Sequence, residues 1–234
     1  MSLQRASFRG DCSTQDFQEV LKRFKSDGCN LLVTGTVSED VTVTATQTLL
    51  GAPNADRKRV VALADSRRGN VFERLPPGVE SDDPDVWVVD QHARQRSVPK
   101  AAKSRDFDLP AANDDRDVLT RLREEIVAAI GYFQETTDGL DPSQLRLSVS
   151  SLGRLVHERG PSDVAQFVRS VSAMVRGVRG MGHYHLPRPD DDDVVDRLSP
   201  LFDARIELRK RDGLPTEQRW HVPQHEQSTD WVRL

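Results

Sequence analysis

The sequence predicts a three-layer α/β/α fold with a mostly parallel sheet and antiparallel strands at its C-terminal edge. Short apolar runs are typical of strands buried on both faces, and they occur at 30–35, 59–65, 85–90, 145–150 and 182–186. Amphipathic helical segments separate most of these runs, and such alternation favours parallel strands joined by right-handed crossovers. The last two runs, 204–209 and 218–222, flank an Asp212-Gly213 turn and predict an antiparallel pair.

Length and composition predict one domain over residues 13–234, preceded by a tail at residues 1–12. With 234 residues, the chain can bury enough surface to fold without a disulfide or a metal. Its net charge of -4 excludes a global basic field that would attract nucleic acid or an anionic membrane. Cys12 and Cys29 lack metal-site spacing and predict reduced thiols. The polar N-terminal residues predict no signal peptide, so we expect a cytoplasmic protein.

The first two helices are predicted from their caps and periodicity. Apolar residues recur at helical spacing from Thr14 to about Ser26, and Gly28 follows as a stop. Ser38 is a candidate N-cap for a helix that ends at Leu50. The β-branched residues 41–44 favour a strand instead, so a hairpin is the alternative for this segment.

The remaining helices follow the same logic. Residues 114–136 give the clearest amphipathic pattern, and its apolar stripe consists of Val118, Leu122, Ile126, Ile130 and Phe133. Shorter helices are expected up to Glu158, from Pro161, and over 190–201, where the acidic run 190–193 would lie at the helix N-terminus. Residues 66–84 predict a loop, and residues 91–113 predict a long flexible connection.

From about Phe17 to Arg209, the order of elements resembles the KaiC branch of the RecA-like ATPases, and its first landmark is the strand at 31–35 with the turn that follows. In that family an apolar strand leads into the phosphate-binding loop GxxxxGK[ST]. Here Gly35 and Thr42 match the first glycine and the final threonine, whereas Asp40 replaces the second glycine and Val41 replaces the lysine. Asp40 adds a negative charge where a polyanion would bind, and Val41 supplies no cation. The resemblance therefore implies the fold without the means to hold a triphosphate.

A second segment carries the same implication. Residues 147–152 resemble the family's Walker B strand, but Ser150 stands in place of the aspartate that organises magnesium. Residues 202–208 are similar to the family's closing strand segment. We therefore predict a non-catalytic RecA/KaiC-like regulatory or scaffolding module that is not an enzyme and needs no cofactor. Its expected partner is a protein, and without nucleotide between subunits we expect a monomer or a homodimer.

The chain also resembles a haloarchaeal family of about this length to which no activity is attached. The shared segments are the turn at 139–142, the strand at 180–187 and the Asp230-Trp231 pair. Arginine far outnumbers lysine in this chain, which is typical of a GC-rich genome.

An enzyme of another class is an alternative, with its site at the carboxyl ends of the strands. Asp65 and Asp90 each end a predicted strand, and His183 lies on a third, so the three form a possible ligand site. His183 and His185 share one strand face and could begin a zinc site with His157 or His221. The sequence has no CxxC pattern to support zinc, so we predict no metal.

A DNA-associated transcriptional regulator is the other alternative. Basic residues concentrate at 94–105, inside the long connection, and they could contact DNA phosphates weakly. The sequence predicts no recognition helix, which argues against sequence-specific reading of DNA.

Overall fold

The computed structural model describes residues 14–63, 71–90, 95–97, 117–150, 152–223 and 227–234. Its strands are β1 (Cys29–Thr34), β2 (Lys58–Leu63), β3 (Val86–Asp90), β4 (Gln95–Ser97), β5 (Leu145–Ser150), β6 (Met181–His185), β7 (Ala204–Arg209), β8 (Glu217–Val222), β9 (Gln227–Ser228) and β10 (Val232–Arg233). Its α-helices are α1 (Thr14–Asp27), α2 (Glu39–Leu50), α3 (Val71–Arg74), α4 (Val118–Thr136), α5 (Leu152–Arg159), α6 (Pro161–Gly177) and α7 (Asp193–Leu198), and a 3-10 turn covers Ser199–Leu201.

These strands form one sheet in the order β10-β8-β7-β1-β6-β5-β2-β3-β4, with β9 paired to β8. The six strands from β7 to β3 in this order are mutually parallel. At one edge β4 runs antiparallel to β3, and at the other edge β8, β9 and β10 pair antiparallel. The predicted fold class is confirmed, including the antiparallel C-terminal edge.

The core lies on both faces of the sheet. Helices α4, α5 and α6 cover one face, where Leu147 and Val149 of β5 contact Ile126, Phe133 and their neighbours in one large apolar cluster. Helix α1 and the first part of α2 cover β1, β7 and β8 on the other face. A smaller cluster joins Leu50 at the end of α2 to β2 and β3. Among the described residues, no helix is long and apolar enough to cross a membrane.

Residues 39–50 form a helix, and the hairpin alternative is wrong. The threonines that disfavour a helix are accommodated by side-chain hydrogen bonds to the preceding turn. Thr44, Thr46 and Thr48 each donate a hydroxyl hydrogen bond of 2.9 Å to the carbonyl four residues earlier. These bonds use the hydroxyl group within the helix itself, so the β-branched residues do not force an extended backbone.

Other boundaries shift by a few residues. Asp117 caps α4 by accepting hydrogen bonds from the Leu119 and Thr120 amides, so the helix begins four residues after the predicted start at 114. The predicted loop 66–84 contains the short helix α3, and Leu75, directly after this helix, packs in the cluster that includes Leu50 of α2. Within the predicted connection 91–113, only 95–97 belongs to the described residues, and it forms β4 rather than a loop. The tail at 1–12 lies outside the described residues.

Gly35 directly follows β1, at a position where only a glycine fits. Its φ is 111°, and a Cβ atom added there would lie 2.1 Å from the Leu208 carbonyl oxygen of β7. The neighbouring strand therefore dictates this glycine through a backbone contact. In the KaiC branch of the RecA-like ATPases, the glycine at the corresponding position belongs to the phosphate-binding loop. In this chain the contact with Leu208 is enough to explain why a glycine is required.

We expect Gly35→Ala to destabilise the protein by about 2–5 kcal/mol, because it combines left-handed backbone strain with a clash against backbone. Chemical denaturation measures the change in the free energy of unfolding. Gly78→Ala is the matched control, since Gly78 has a φ of 85° and open space around its α-carbon. That variant should cost only the strain, about 1–2 kcal/mol. Equal losses in the two variants would contradict the role given to the Leu208 contact.

Candidate functional site

The turn between β1 and α2 lies at the carboxyl edge of the parallel sheet, where α/β proteins bind ligands. Gly35 is buried there, and its amide donates a 2.8 Å hydrogen bond to the Arg188 carbonyl. Asp40 is exposed in the first turn of α2. The start of a helix presents free amide groups and a partial positive charge, which suits an anion.

The anion at this helix start is the carboxylate of Asp40 itself. The pKa of this carboxyl is below its usual value, chiefly because of the Ser38 side chain, with smaller contributions from the backbone of Asp40 and Val41 and from the charge of Lys210. A negative charge of the chain therefore lies at the helix start where a phosphate would bind.

Val41 and Thr42 are also committed to the fold. Val41 is only 3% exposed and packs in the cluster formed by α1, β1 and β7. The Thr42 hydroxyl donates to the Ser38 carbonyl, as its own amide does, at 3.4 Å and 3.2 Å. A lysine at position 41 would have to leave the core to reach a ligand.

Helix α3 adds a further contact that the sequence did not predict. Glu39, beside Asp40, forms an ion pair with Arg74 of α3, whose side chain is largely buried. Gln47 of α2 donates a hydrogen bond to the Glu73 carbonyl at 2.6 Å. Helix α3 has only four residues, Val71–Arg74, and so short a segment shows no helical periodicity in the sequence.

Ser150 lies at the end of β5, as the resemblance implies for the Walker B position. Its side chain is 2% exposed, and the hydroxyl donates to the Ala62 carbonyl of β2 at 3.3 Å. A serine hydroxyl supplies no negative charge to organise a divalent cation, and here it is engaged with the adjacent strand.

His183 and His185 lie beneath α2 on the same face of β6, as predicted, with ring centroids 5.3 Å apart. Both are buried, so they are core residues and do not line an open cleft. His185 Nε2 lies 3.0 Å from the Thr46 hydroxyl, which itself donates to the Thr42 carbonyl. The neutral ring of His185 is therefore the donor in this pair.

Burial keeps both imidazoles neutral. Desolvation lowers the pKa of His185 to about 3, with a smaller contribution from the Arg74 charge. Desolvation also lowers the pKa of His183 well below its usual value, and nearby His185, Arg146 and Arg74 act in the same direction. The two rings thus sit in a buried environment whose nearest charges are positive.

Two residues of the predicted ligand site, Asp90 and His183, lie on strands that are not adjacent. Asp65 lies outside the described residues. Asp90 ends β3, whereas His183 lies in the middle of β6, and β5 and β2 separate these two strands. Three strand spacings amount to about 14 Å. The site of Asp65, Asp90 and His183 stays a prediction.

The zinc alternative loses its additional ligands. His221 belongs to β8 and contacts Glu207 of β7 at 2.9 Å. The strand pairing places His183 on the same face of the sheet as Ala204 of β7, and it places His221 on the same face as Arg205. Ala204 and Arg205 are successive residues of one strand, so their side chains point to opposite faces. His221 and His183 therefore lie on opposite faces of the sheet. His157 is exposed on α5.

Asp190, Glu207 and His221 form a cluster that the sequence did not predict. Among the described residues they bring three potential metal-ligand atoms within 4.8 Å of one another. Arg205 bonds Asp190 at 2.9 Å and Arg219 bonds Glu207 through Nε at 3.0 Å, so arginines already neutralise both carboxylates. The cluster therefore ties β7, β8 and the segment after β6 together. Of the acidic run 190–193, it is Asp192 that caps α7.

We expect acid to destabilise the fold through the buried histidines. Their pKa values are lowered on folding, so the unfolded chain takes up protons first as the pH falls below 6.5. The contribution of the neutral histidines to the free energy of unfolding is fully present above that pH. It declines as the pH falls towards 3, by up to about 1.4 kcal/mol per pH unit for each histidine.

Chemical denaturation at pH 7, 6 and 5 measures this dependence. His185→Gln should reduce the slope of the unfolding free energy against pH, whatever its effect on the absolute stability. His157→Gln is the control, because His157 is exposed, and its slope should equal that of the wild type. An unchanged slope in His185→Gln would refute the neutral, buried state of this imidazole.

Comparisons with known proteins agree with this geometry. The model of a family of unknown function, DUF7504, matches residues 28–208. No curated protein matches the chain in sequence. Among solved structures, the chain is similar to a KaiC-like protein of the hyperthermophilic archaeon Pyrococcus horikoshii OT3, with a TM-score of 0.54, 12% sequence identity, and coverage of 84% of this chain and 80% of that chain. At this identity the similarity establishes the fold alone: the chain has a KaiC-like RecA fold and belongs to the DUF7504 family.

Proposed function

We propose that this chain is a RecA/KaiC-like domain that does not hydrolyse nucleotide and acts as a regulatory or scaffolding module with a protein partner. The observation that carries the proposal is the pair of residues at the start of α2, where Asp40 adds an exposed negative charge and Val41 is buried in the core instead of supplying a cation. In a nucleotide-binding relative, the amides of this helix start would face phosphate oxygens. A carboxylate of the chain thus opposes the binding of a phosphate at this place.

The cations near this turn support the same conclusion. Phosphoryl transfer depends on positive groups that stabilise the transferring phosphate. Arg74, the arginine packed on α2, is paired with Glu39, and Val41 is part of the core. Arg205, the second residue of β7, is paired with Asp190, which follows β6. These two arginines are therefore engaged in contacts within the fold, and Lys210 makes only the last and smallest of the contributions to the lowered pKa of Asp40.

The Ser150 position supports the absence of magnesium-dependent chemistry. Mg²⁺ prefers carboxylate oxygens together with the phosphates of its nucleotide. Ser150 offers a single hydroxyl that is buried and bonded to Ala62. A haloarchaeal source, a monomeric or homodimeric state and a weak DNA contact through 94–105 stay predictions.

Calorimetric titration with Mg-ATP tests the proposal directly. The wild type should show no saturable heat at ATP concentrations up to roughly millimolar, and a phosphate-release assay should show no turnover. Saturable binding at micromolar ATP accompanied by hydrolysis would overturn the proposal.

Asp40→Gly examines the reason for the inactivity. Removal of the carboxylate takes the negative charge away from the amides at the start of α2, so we expect weak binding of inorganic phosphate, with a Kd on the order of millimolar and without turnover. Asp82→Gly removes an exposed acidic group from the turn before β3, at the opposite edge of the sheet, and is the matched control for net charge. Equal phosphate binding by the two variants would show that net charge, rather than the helix start, controls the affinity.

A further inference from the structure

Three arginines meet at the edge of the sheet where the parallel strands begin, beneath the C-terminal end of α2. Arg59 of β2 and Arg146 of β5 are direct partners in the register of these neighbouring strands, so their side chains lie side by side on the face that α2 covers. The Arg57 side chain lies beside Gly51, which follows α2, and a Cβ atom added to that glycine would be 3.7 Å from it. Like charges directly opposite each other on neighbouring strands are destabilising, so this arrangement needs a source of negative charge.

The end of α2 supplies part of that negative charge. Arg59 Nη2 donates a hydrogen bond to the Ala52 carbonyl at 2.7 Å, and Arg146 Nη1 donates to the Leu49 carbonyl at 3.5 Å. The last carbonyls of a helix together carry about half a negative charge. Three guanidinium groups carry three positive charges, so most of the positive charge is left without compensation by the helix.

Carboxylates of the chain do not supply the remainder. Among the described residues, no acid forms an ion pair with Arg57, Arg59 or Arg146. The carboxylates of Asp56 and Asp85 lie 3.7 Å and 2.6 Å from the ammonium group of Lys58. Lys58 stands between Arg57 and Arg59 in an extended segment and therefore points to the opposite face of the sheet.

Burial makes the uncompensated charge unfavourable. Arg59 is 3% exposed and Arg146 is 7% exposed. The Nε atoms of Arg57 and Arg59 are shielded from solvent and have no hydrogen-bond partner in the described part of the chain. Burial lowers the pKa of the Arg146 guanidinium to about 10, and the charges of Arg57 and Arg59 act in the same direction. A buried charge costs free energy unless an opposite charge pairs with it.

The donor set defines the kind of anion that fits. Guanidinium groups recognise phosphate and sulfate through paired N–H donors, and a dianion offsets more than one positive charge. Arg57 is half-buried and gives access from solvent, whereas Arg59 and Arg146 lie deeper. Such a site accepts a small ion and has no exposed surface for the base and sugar of a nucleotide.

We propose that Arg57, Arg59 and Arg146 bind a small tetrahedral oxyanion, phosphate or sulfate, at the C-terminal end of α2. The bound anion links the end of this helix to β2 and β5. The site lies at the opposite end of α2 from Asp40, and it is independent of the position at which a nucleotide-binding relative holds its triphosphate.

Calorimetric titration of the full chain with sodium phosphate tests the proposal, at an ionic strength held constant with sodium chloride. We expect saturable one-to-one binding with a Kd below about 1 mM. Sodium sulfate should compete for the same site, whereas sodium nitrate, a planar monoanion, should not. No saturable binding, or displacement of phosphate by nitrate at the same concentration, would overturn the proposal.

Variants of the cluster locate the site. Arg57→Gln should weaken phosphate binding about three- to tenfold, and Arg146→Gln should weaken it at least as much. Circular dichroism verifies the fold of Arg146→Gln, and Arg57→Gln decides alone if that variant does not fold. Arg123→Gln is the matched control for net charge, because Arg123 is exposed on α4 at the opposite face of the sheet. A loss with Arg123→Gln as large as that with Arg57→Gln would refute the site.

The number of bound ions separates this site from the start of α2. Asp40→Gly keeps all three arginines, so it should bind one phosphate as the wild type does and a second, weaker one at the helix start. Adding Arg57→Gln to that variant should weaken only the tighter of the two. Wild-type phosphate binding that Arg57→Gln leaves unchanged would contradict the arginine site, whereas nucleotide turnover would contradict only the proposed function.

Discussion

The position of α2 depends on the two contacts that its inner face makes with the sheet. Val41 packs in the core against β1 and β7, and the Thr46 hydroxyl lies 3.0 Å from Nε2 of the buried His185. These contacts place the start of the helix at the end of β1 and leave Asp40 exposed there. The same packing therefore orients the helix and presents a carboxylate, instead of a cation, at its anion-binding end.

The architecture could be predicted because its signals are local and repeated. Continuous apolar runs indicate strands that are buried on both faces of the sheet. Because these strands alternate with amphipathic helices, a parallel sheet with helices on both faces buries the apolar surfaces of the strands and of the helices. Residues 145–150, for example, form β5 with the predicted bounds. The helix at 39–50 was ambiguous, because propensity favours strands for its β-branched residues, while the hydroxyl bonds of its threonines depend on the helix already being formed.

The candidate sites were less predictable because they depend on which strands become neighbours. Asp90 and His183 lie on separate predicted strands, and only the order β6-β5-β2-β3 shows that two strands stand between them. The contact of His221 with Glu207 likewise requires the register of β7 against β8. The Asp40 and Val41 substitutions were visible in the sequence, but the burial of Val41 depends on how α2 packs against β1 and β7.

The two edges of the parallel sheet differ in how their charges are used. At the carboxyl edge, where ligands usually bind to this class of fold, Glu39 is paired with Arg74, and Asp190 is paired with Arg205. At the amino edge, Asp138 and Asp141 remain exposed beside a cavity and form no ion pair with the described residues. Pairing within the chain stabilises the fold at one edge and removes its affinity for charged ligands. Exposed carboxylates at the amino edge keep their hydration instead, so they contribute little to the stability of the fold.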